Sequence, residues 1–146
     1  MKNLRLLFLF LLAAAFVLPA RAGESSSATN DLAQLQGEWL MASGSADGQP
    51  MPDSIRQQMK RVCRGDEATV TMGGQIYLQA KFTLDPSKQP KTIDYAMTGG
   101  FTKGQKQLGI YEVDGDTFKS SFAKPVLWLI AVFLKKAIAR HLRQMR

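Results

Sequence analysis

Few residues of this chain have the type and spacing that catalysis needs. The sole histidine is His141, close to the C-terminus, and the sole cysteine is Cys63. A Ser-His-Asp or Cys-His nucleophile would have to use His141. No group of histidine, cysteine and carboxylate residues has the spacing of metal ligands. We therefore predict that the protein is not an enzyme and holds neither a metal nor a cofactor. Because one cysteine cannot form an internal disulfide, we expect Cys63 to be a small buried hydrophobe, the alternative being a bond between chains.

Two short motifs with some chemical potential are better explained as turns. Asp114-Gly115-Asp116 offers a pair of carboxylates, but two carboxylates are too few ligands for calcium. The same tripeptide is typical of a hairpin turn. Gly73-Gly74 is not followed by the Lys-Ser/Thr of a phosphate-binding loop, so it also predicts a turn.

Aromatic residues on predicted strands are the best candidates for ligand binding. The interior of a small barrel is either filled by such side chains or leaves room for one small apolar ligand. We expect Trp39 to support the closed end and Phe82, Tyr95 and Tyr111 to line the wall. Plain core packing of the same residues is the alternative. A small apolar or amphipathic ligand is therefore the predicted partner.

The elements that would position these aromatics are strands. Residues 78–84 alternate between apolar and polar side chains, which is typical of a strand with one buried face. Asp114-Gly115 between two such segments predicts a hairpin. Short Gly, Pro and Asp turns separate the segments, and no long helical pattern lies between them. The pattern favours a mainly β fold, an antiparallel sandwich or barrel of about seven or eight strands.

Several sequence blocks resemble a known family. They are Leu35-Gln36-Gly37-x-Trp39, Asp47-Gly48-Gln49-Pro50, Leu84-Asp85-Pro86-Ser87-Lys88-x-Pro90-Lys91-Thr92-Ile93-Asp94, Gly109-Ile110-Tyr111-Glu112-x-Asp114-Gly115-Asp116-Thr117 and Phe122-Ala123. Together they resemble the planctomycete-type domain family of unknown function, which is grouped with lipocalin-like (calycin) barrels. The resemblance covers about residues 31–125 and implies a lipocalin-like barrel. Since the family has no established activity, it leaves the function open.

The N-terminal residues 1–22 have the pattern of a secretory signal. Two bases, Lys2 and Arg5, precede an apolar run, Pro19 follows it, and Ala20 and Ala22 are small residues at the expected positions for cleavage. An uncleaved anchor is the alternative, but the run is shorter than the roughly 20 residues of a spanning helix. We predict cleavage after Ala22, export to the periplasm or the extracellular space, and a flexible polar linker over residues 23–30.

The net charge of +7 comes from the two ends of the chain. Residues 23–124 hold 11 of the 19 bases and all 12 acids, so the central domain is nearly neutral. A nucleic-acid-binding domain would carry clustered Lys and Arg on its folded part. We therefore predict no nucleic-acid partner.

The C-terminal residues 126–146 depart from the family resemblance and have three interpretations. Apolar residues at helical spacing face a basic side that carries Lys136, Arg140 and Arg143, which predicts an amphipathic helix. Such a helix could lie on an anionic membrane surface or dock on the open end of its own barrel. A frameshift after residue 125 is the third interpretation, and it would leave the barrel incomplete, with unpaired edges.

These observations lead to two hypotheses about function. The first is a non-enzymatic, extracytoplasmic, lipocalin-like domain that binds a small apolar ligand. The second is a structural or interaction domain of the envelope with a filled core, associated with the membrane surface through its basic tail. The sequence does not indicate the oligomeric state.

Overall fold

The computed structural model describes residues 22–123 and 129–136. The helices are α1 (Ala22–Leu35) and α2 (Asp53–Arg56), and the strands are β1 (Gly37–Ala46), β2 (Gln49–Pro50), β3 (Met59–Arg64), β4 (Glu67–Met72), β5 (Gln75–Asp85), β6 (Thr92–Gly100), β7 (Lys106–Asp114), β8 (Thr117–Phe122) and β9 (Leu129–Lys135). The prediction of a mainly β fold is confirmed.

The strands form a closed antiparallel barrel. β1 and β3 to β9 pair with their neighbours in chain order, and β9 pairs back with β1, so eight strands complete the circle. The two-residue β2 pairs only with the end of β1. Closure leaves no long unpaired edge among these eight strands. The antiparallel barrel expected from the sequence is thus confirmed, and an incomplete barrel is not what these residues form.

Strand β9 corrects the interpretation of the tail. The helix predicted from Leu127 onward is wrong over Leu129–Lys135, where Ala131 and Phe133 are buried and Ile130 is exposed. This alternation is that of a strand, and β9 is paired with both β8 and β1. The open edges of β1 and β8 offer backbone hydrogen bonds to any extended apolar segment, and this gain overrides the helical spacing. The closing strand that a frameshift was expected to remove is present.

The ends of the chain lie largely outside the described residues. The predicted secretory signal is outside apart from Ala22, as are residues 126–128 and residues 137–146 of the tail, which include His141. Residues 23–30, predicted to be a flexible linker, belong to helix α1. Within the described residues, no helix is both long and apolar enough to cross a membrane.

Helix α1 covers one end of the barrel. Its Leu35 is fully buried, and the indole Nε1 of Trp39 donates a hydrogen bond of 2.8 Å to the Leu35 carbonyl oxygen. The side-chain oxygen of Gln34 accepts from the backbone N–H of Gly115 at 3.1 Å, which joins the helix to the β7–β8 turn. Gly115 has a φ of +54°, as a tight hairpin turn requires. We call this the helix end, and the opposite end, formed by turns such as residues 73–74 and 101–104, the loop end.

Candidate binding site around Arg61

An arginine is buried in the interior of the barrel. Arg61 lies on β3 between Met59 and Cys63 on the inward face, because alternate residues of a strand point to the same side. Only 2% of its surface is exposed. Arginine is almost never fully buried unless it is paired, so its surroundings need an explanation.

Two hydrogen bonds and three aromatic rings hold the guanidinium. Nε donates to the Cys63 Sγ at 3.1 Å, and Nη1 donates to the hydroxyl of Tyr95. The guanidinium carbon lies 4.6 Å from the ring centre of Phe118, 5.5 Å from that of Tyr95 and 5.8 Å from that of Phe82. Such distances allow cation–π attraction. The third nitrogen, Nη2, has no hydrogen-bond partner among the described residues.

Among the described residues, no carboxylate forms an ion pair with the buried charge of Arg61. Residues 1–21, 124–128 and 137–146 contain no Asp or Glu. Burial alone lowers the pKa of Arg61, but its interactions with Tyr95 and Cys63 outweigh burial and leave this pKa above the usual value. Burial also raises the pKa of the Tyr95 phenol. The guanidinium is therefore cationic and its tyrosine partner neutral at physiological pH.

A cavity of about 40 Å³ adjoins this arginine. It is lined by Met41, Met59, Arg61, Val70, Tyr77, Leu78, Tyr95, Gln107, Ser120, Phe122 and Phe133. The Oγ of Ser120 is buried and, among the described residues, has no hydrogen-bond partner. One water needs roughly 10–15 Å³ of such space. The cavity therefore has room for about three waters or for a polar group of similar size.

The structure separates the four predicted binding residues. Tyr95 lines the cavity, whereas Phe82 packs 6.1 Å from the Tyr95 ring without lining it. Trp39 is fully buried near the helix end, with its ring 6.1 Å from that of Phe118. Tyr111 points its hydroxyl at helix α1. The structure thus places Tyr95 and Phe82 beside the Arg61 guanidinium and pairs Trp39 with Arg61 across β1 and β3, whereas the Tyr111 hydroxyl lies in another cluster. A ligand-binding role for any of the four stays a prediction.

Tyr111 belongs to a separate buried cluster at the helix end. Its hydroxyl donates to the Oδ2 of Asp31 at 2.7 Å, and the Nζ of Lys91 lies 2.8 Å from the same oxygen. Burial, the hydrogen bond from Tyr111 and the negative charge of Asp31 raise the pKa of Tyr111. Asp31 lies inside α1 and is 3% exposed. This cluster contains both signs of charge.

Sequence reasoning missed Arg61 and Ser120. The sequence analysis counted Arg61 only among the 11 bases of a nearly neutral central domain. Strand alternation could have identified Arg61, because in a strand it lies on the same face as Met59 and Cys63. A basic residue on the apolar face of a predicted strand is a reason to expect a buried charge.

Comparisons with known proteins complete the description of the site. Within the described residues, no group of three or more His, Cys, Asp or Glu is placed to hold a metal ion. No protein-family model, curated protein or solved structure matches this chain. The resemblance to the planctomycete-type family therefore stays a prediction, and the function has to be argued from the barrel itself.

Proposed function

We propose that this chain is a lipocalin-like, non-enzymatic binding module that holds a small apolar or amphipathic ligand in its barrel. The observation that carries the proposal is the cavity beside Arg61, a buried cation without a counterion among the described residues. Ligand sites combine a mostly apolar wall with a few polar groups that orient the ligand. Here the wall is aliphatic and aromatic, and Arg61, Tyr95 and Ser120 supply polar groups.

The size of the cavity limits how a ligand can bind. About 40 Å³ accommodates a small head group but not a whole amphipathic molecule. Tyr77 and Leu78 line the cavity and are only half-buried, so a longer ligand would leave the barrel past them toward the loop end. Met41 and Met59 also line it, and their flexible side chains can change rotamer to enlarge the space.

The titratable groups of the cavity support binding rather than proton transfer. The pKa of Tyr95 is raised by burial and that of Arg61 is raised by its interactions with Tyr95 and Cys63. Both groups therefore keep one protonation state near neutral pH, whereas a general acid or base works best with a pKa near the working pH. The signal-like residues 1–22 support a location in the periplasm or outside the cell.

Isothermal titration calorimetry of the purified protein with octanoate, 1-octanol and octyltrimethylammonium tests this proposal. We expect saturable one-to-one binding of at least one of the three. Leu78→Trp should weaken that binding about tenfold, because the larger ring blocks the path past Tyr77. Lys81→Trp places the same ring on the exposed outer face of β5 and should leave binding unchanged. Absence of saturable binding of all three compounds would overturn the proposal.

A second candidate is a structural or interaction domain with a filled core. It is favoured by an outward-facing apolar group on β7 and β9, in which Leu108, Ile110 and Ile130 are 59%, 42% and 54% exposed. Membrane-surface association through the basic tail is a variant of this candidate. Flotation with anionic vesicles of the full chain and of a chain ending at Lys136 tests the variant, since the shorter chain keeps the closing strand β9.

A further inference from the structure

We infer that the barrel recognises a carboxylate, and that its ligand is an amphipathic monocarboxylate whose head group binds between Arg61 and Ser120. This inference rests on the proposed function and adds to it the chemical class of the ligand. Arg61 and Ser120 lie on β3 and β8, and both line the same cavity. The two side chains are 2% and 4% exposed, so water outside the barrel does not satisfy them.

The donors at the cavity match the acceptors of a carboxylate. Arg61 has an unpartnered Nη2, and Ser120 has an unpartnered Oγ, among the described residues. The Tyr95 hydroxyl accepts from Arg61 and retains its own O–H hydrogen as a donor. A carboxylate carries two oxygens that only accept, and arginine binds it with charge-assisted hydrogen bonds. The cavity thus offers donors without a matching anionic acceptor.

Charge and size favour a monocarboxylate over other head groups. A neutral alcohol would leave the guanidinium charge uncompensated, and an ammonium head would be repelled by it. A phosphate dianion would bring two negative charges to one arginine, since Arg61 is the sole basic residue among those lining the cavity. The volume of about 40 Å³ also suits a planar carboxylate. The apolar tail of the ligand would leave the cavity past Tyr77 and Leu78, toward the loop end.

The test compares octanoate, 1-octanol and octyl phosphate by calorimetry at pH 7. We expect octanoate to bind at least about tenfold more tightly than 1-octanol. Arg61→Met, which keeps an unbranched side chain and removes the guanidinium with its charge, should reduce the affinity for octanoate to that for 1-octanol. Arg64→Met removes the same charge from an exposed position of β3 and should leave both affinities unchanged.

Two further variants keep the test decisive if Arg61→Met fails to fold. Ser120→Ala removes no hydrogen bond between described residues of the free protein. It should lower the affinity for octanoate a few-fold and leave the affinity for 1-octanol unchanged. Arg61→Lys should keep part of the preference for octanoate, because it keeps the charge and loses the planar fork. Equal affinities for octanoate and 1-octanol, or a higher affinity for octyl phosphate, would contradict the inference of a carboxylate ligand. The proposed function as a binding module would still hold. If neither octanoate nor 1-octanol binds and octyltrimethylammonium does, the carboxylate is also wrong. If octanoate, 1-octanol, octyl phosphate and octyltrimethylammonium all fail to bind, the proposed function itself is wrong.

Discussion

Two tyrosines buried in the same barrel differ in the charges around their hydroxyl groups. At the helix end, Tyr111 donates to Asp31 at 2.7 Å, and Lys91 lies 2.8 Å from the same carboxylate oxygen. In the interior, Tyr95 accepts from Arg61, and none of the ion pairs between described residues includes that arginine. The first cluster contains an anion and a cation, whereas the second contains a cation alone.

This difference distinguishes a cluster whose charges are paired from the cluster in which we propose that a ligand binds. The charges at the helix end compensate each other, so the contacts of Asp31 with Lys91 and Tyr111 fasten α1 to the barrel without any ligand. A buried charge without a counterion costs stability, and a protein keeps such a cost where function requires it. In the proposed function, an anion in the neighbouring cavity supplies the counterion that the cluster around Arg61 does not have among the described residues.

The largest effect is expected from Asp31→Ala. The change leaves the Tyr111 hydroxyl without its acceptor and Lys91 without its counterion, and it should lower the free energy of unfolding by about 3 kcal/mol. Urea denaturation followed by circular dichroism measures it. Asp94→Ala, at an exposed position of β6, serves as the control and should change stability by less than about 0.5 kcal/mol. Equal effects of the two changes would show that the helix end does not depend on its ion pair.

A smaller effect is expected from Tyr95→Phe. The ring remains beside Arg61, but Nη1 loses its acceptor, so the free energy of unfolding should fall by about 1–2 kcal/mol. Octanoate at saturating concentration should recover part of this loss, because the carboxylate offers a new acceptor to the guanidinium. The same urea experiment with and without octanoate measures both values. If octanoate does not change this loss of unfolding free energy, Tyr95 is not part of the proposed site.

The smallest effect is expected from alkaline pH. Burial raises the pKa of both Tyr95 and Tyr111 in the folded protein, so the unfolded chain loses these protons first. Their contribution to stability is therefore complete below about pH 10 and declines as pH rises above it. Near pH 10.5 we expect a loss of about 0.8 kcal/mol for each tyrosine. Denaturation from pH 8 to 10.5 measures it, and Tyr111→Phe should flatten the decline. An unchanged decline in that variant would contradict the assignment.

Local patterns predicted most of the barrel but not its last strand. The alternation of residues 78–84 and the Asp114-Gly115 turn correspond to β5 and to the β7–β8 hairpin. Residues 129–135 were misassigned because a short apolar run fits the helical and the strand period equally well. Pairing with β1 and β8 decides between the two, and β1 is distant in sequence. The sequence analysis also did not predict a helix over residues 23–30 of α1, because these polar residues resemble a linker.

The candidate site was predicted only in part. Tyr95 was identified from its place on an apolar strand face, and it lines the cavity. Arg61 was missed because arginine is usually a surface residue, and its burial depends on contacts across the barrel. Its hydrogen-bond partner Tyr95 lies 34 residues further along the chain, and the sequence does not show that the two residues meet.

The sequence by itself determined the antiparallel strands, their turns and the inward position of the main aromatics, because alternation and turn chemistry act between near neighbours in the chain. Only the tertiary structure decided that β9 closes the barrel and that Tyr111 and Tyr95 face opposite electrostatic surroundings. Those outcomes depend on which side chains, distant in the sequence, meet in the barrel interior, where the stability of a buried charge is set by the groups around it.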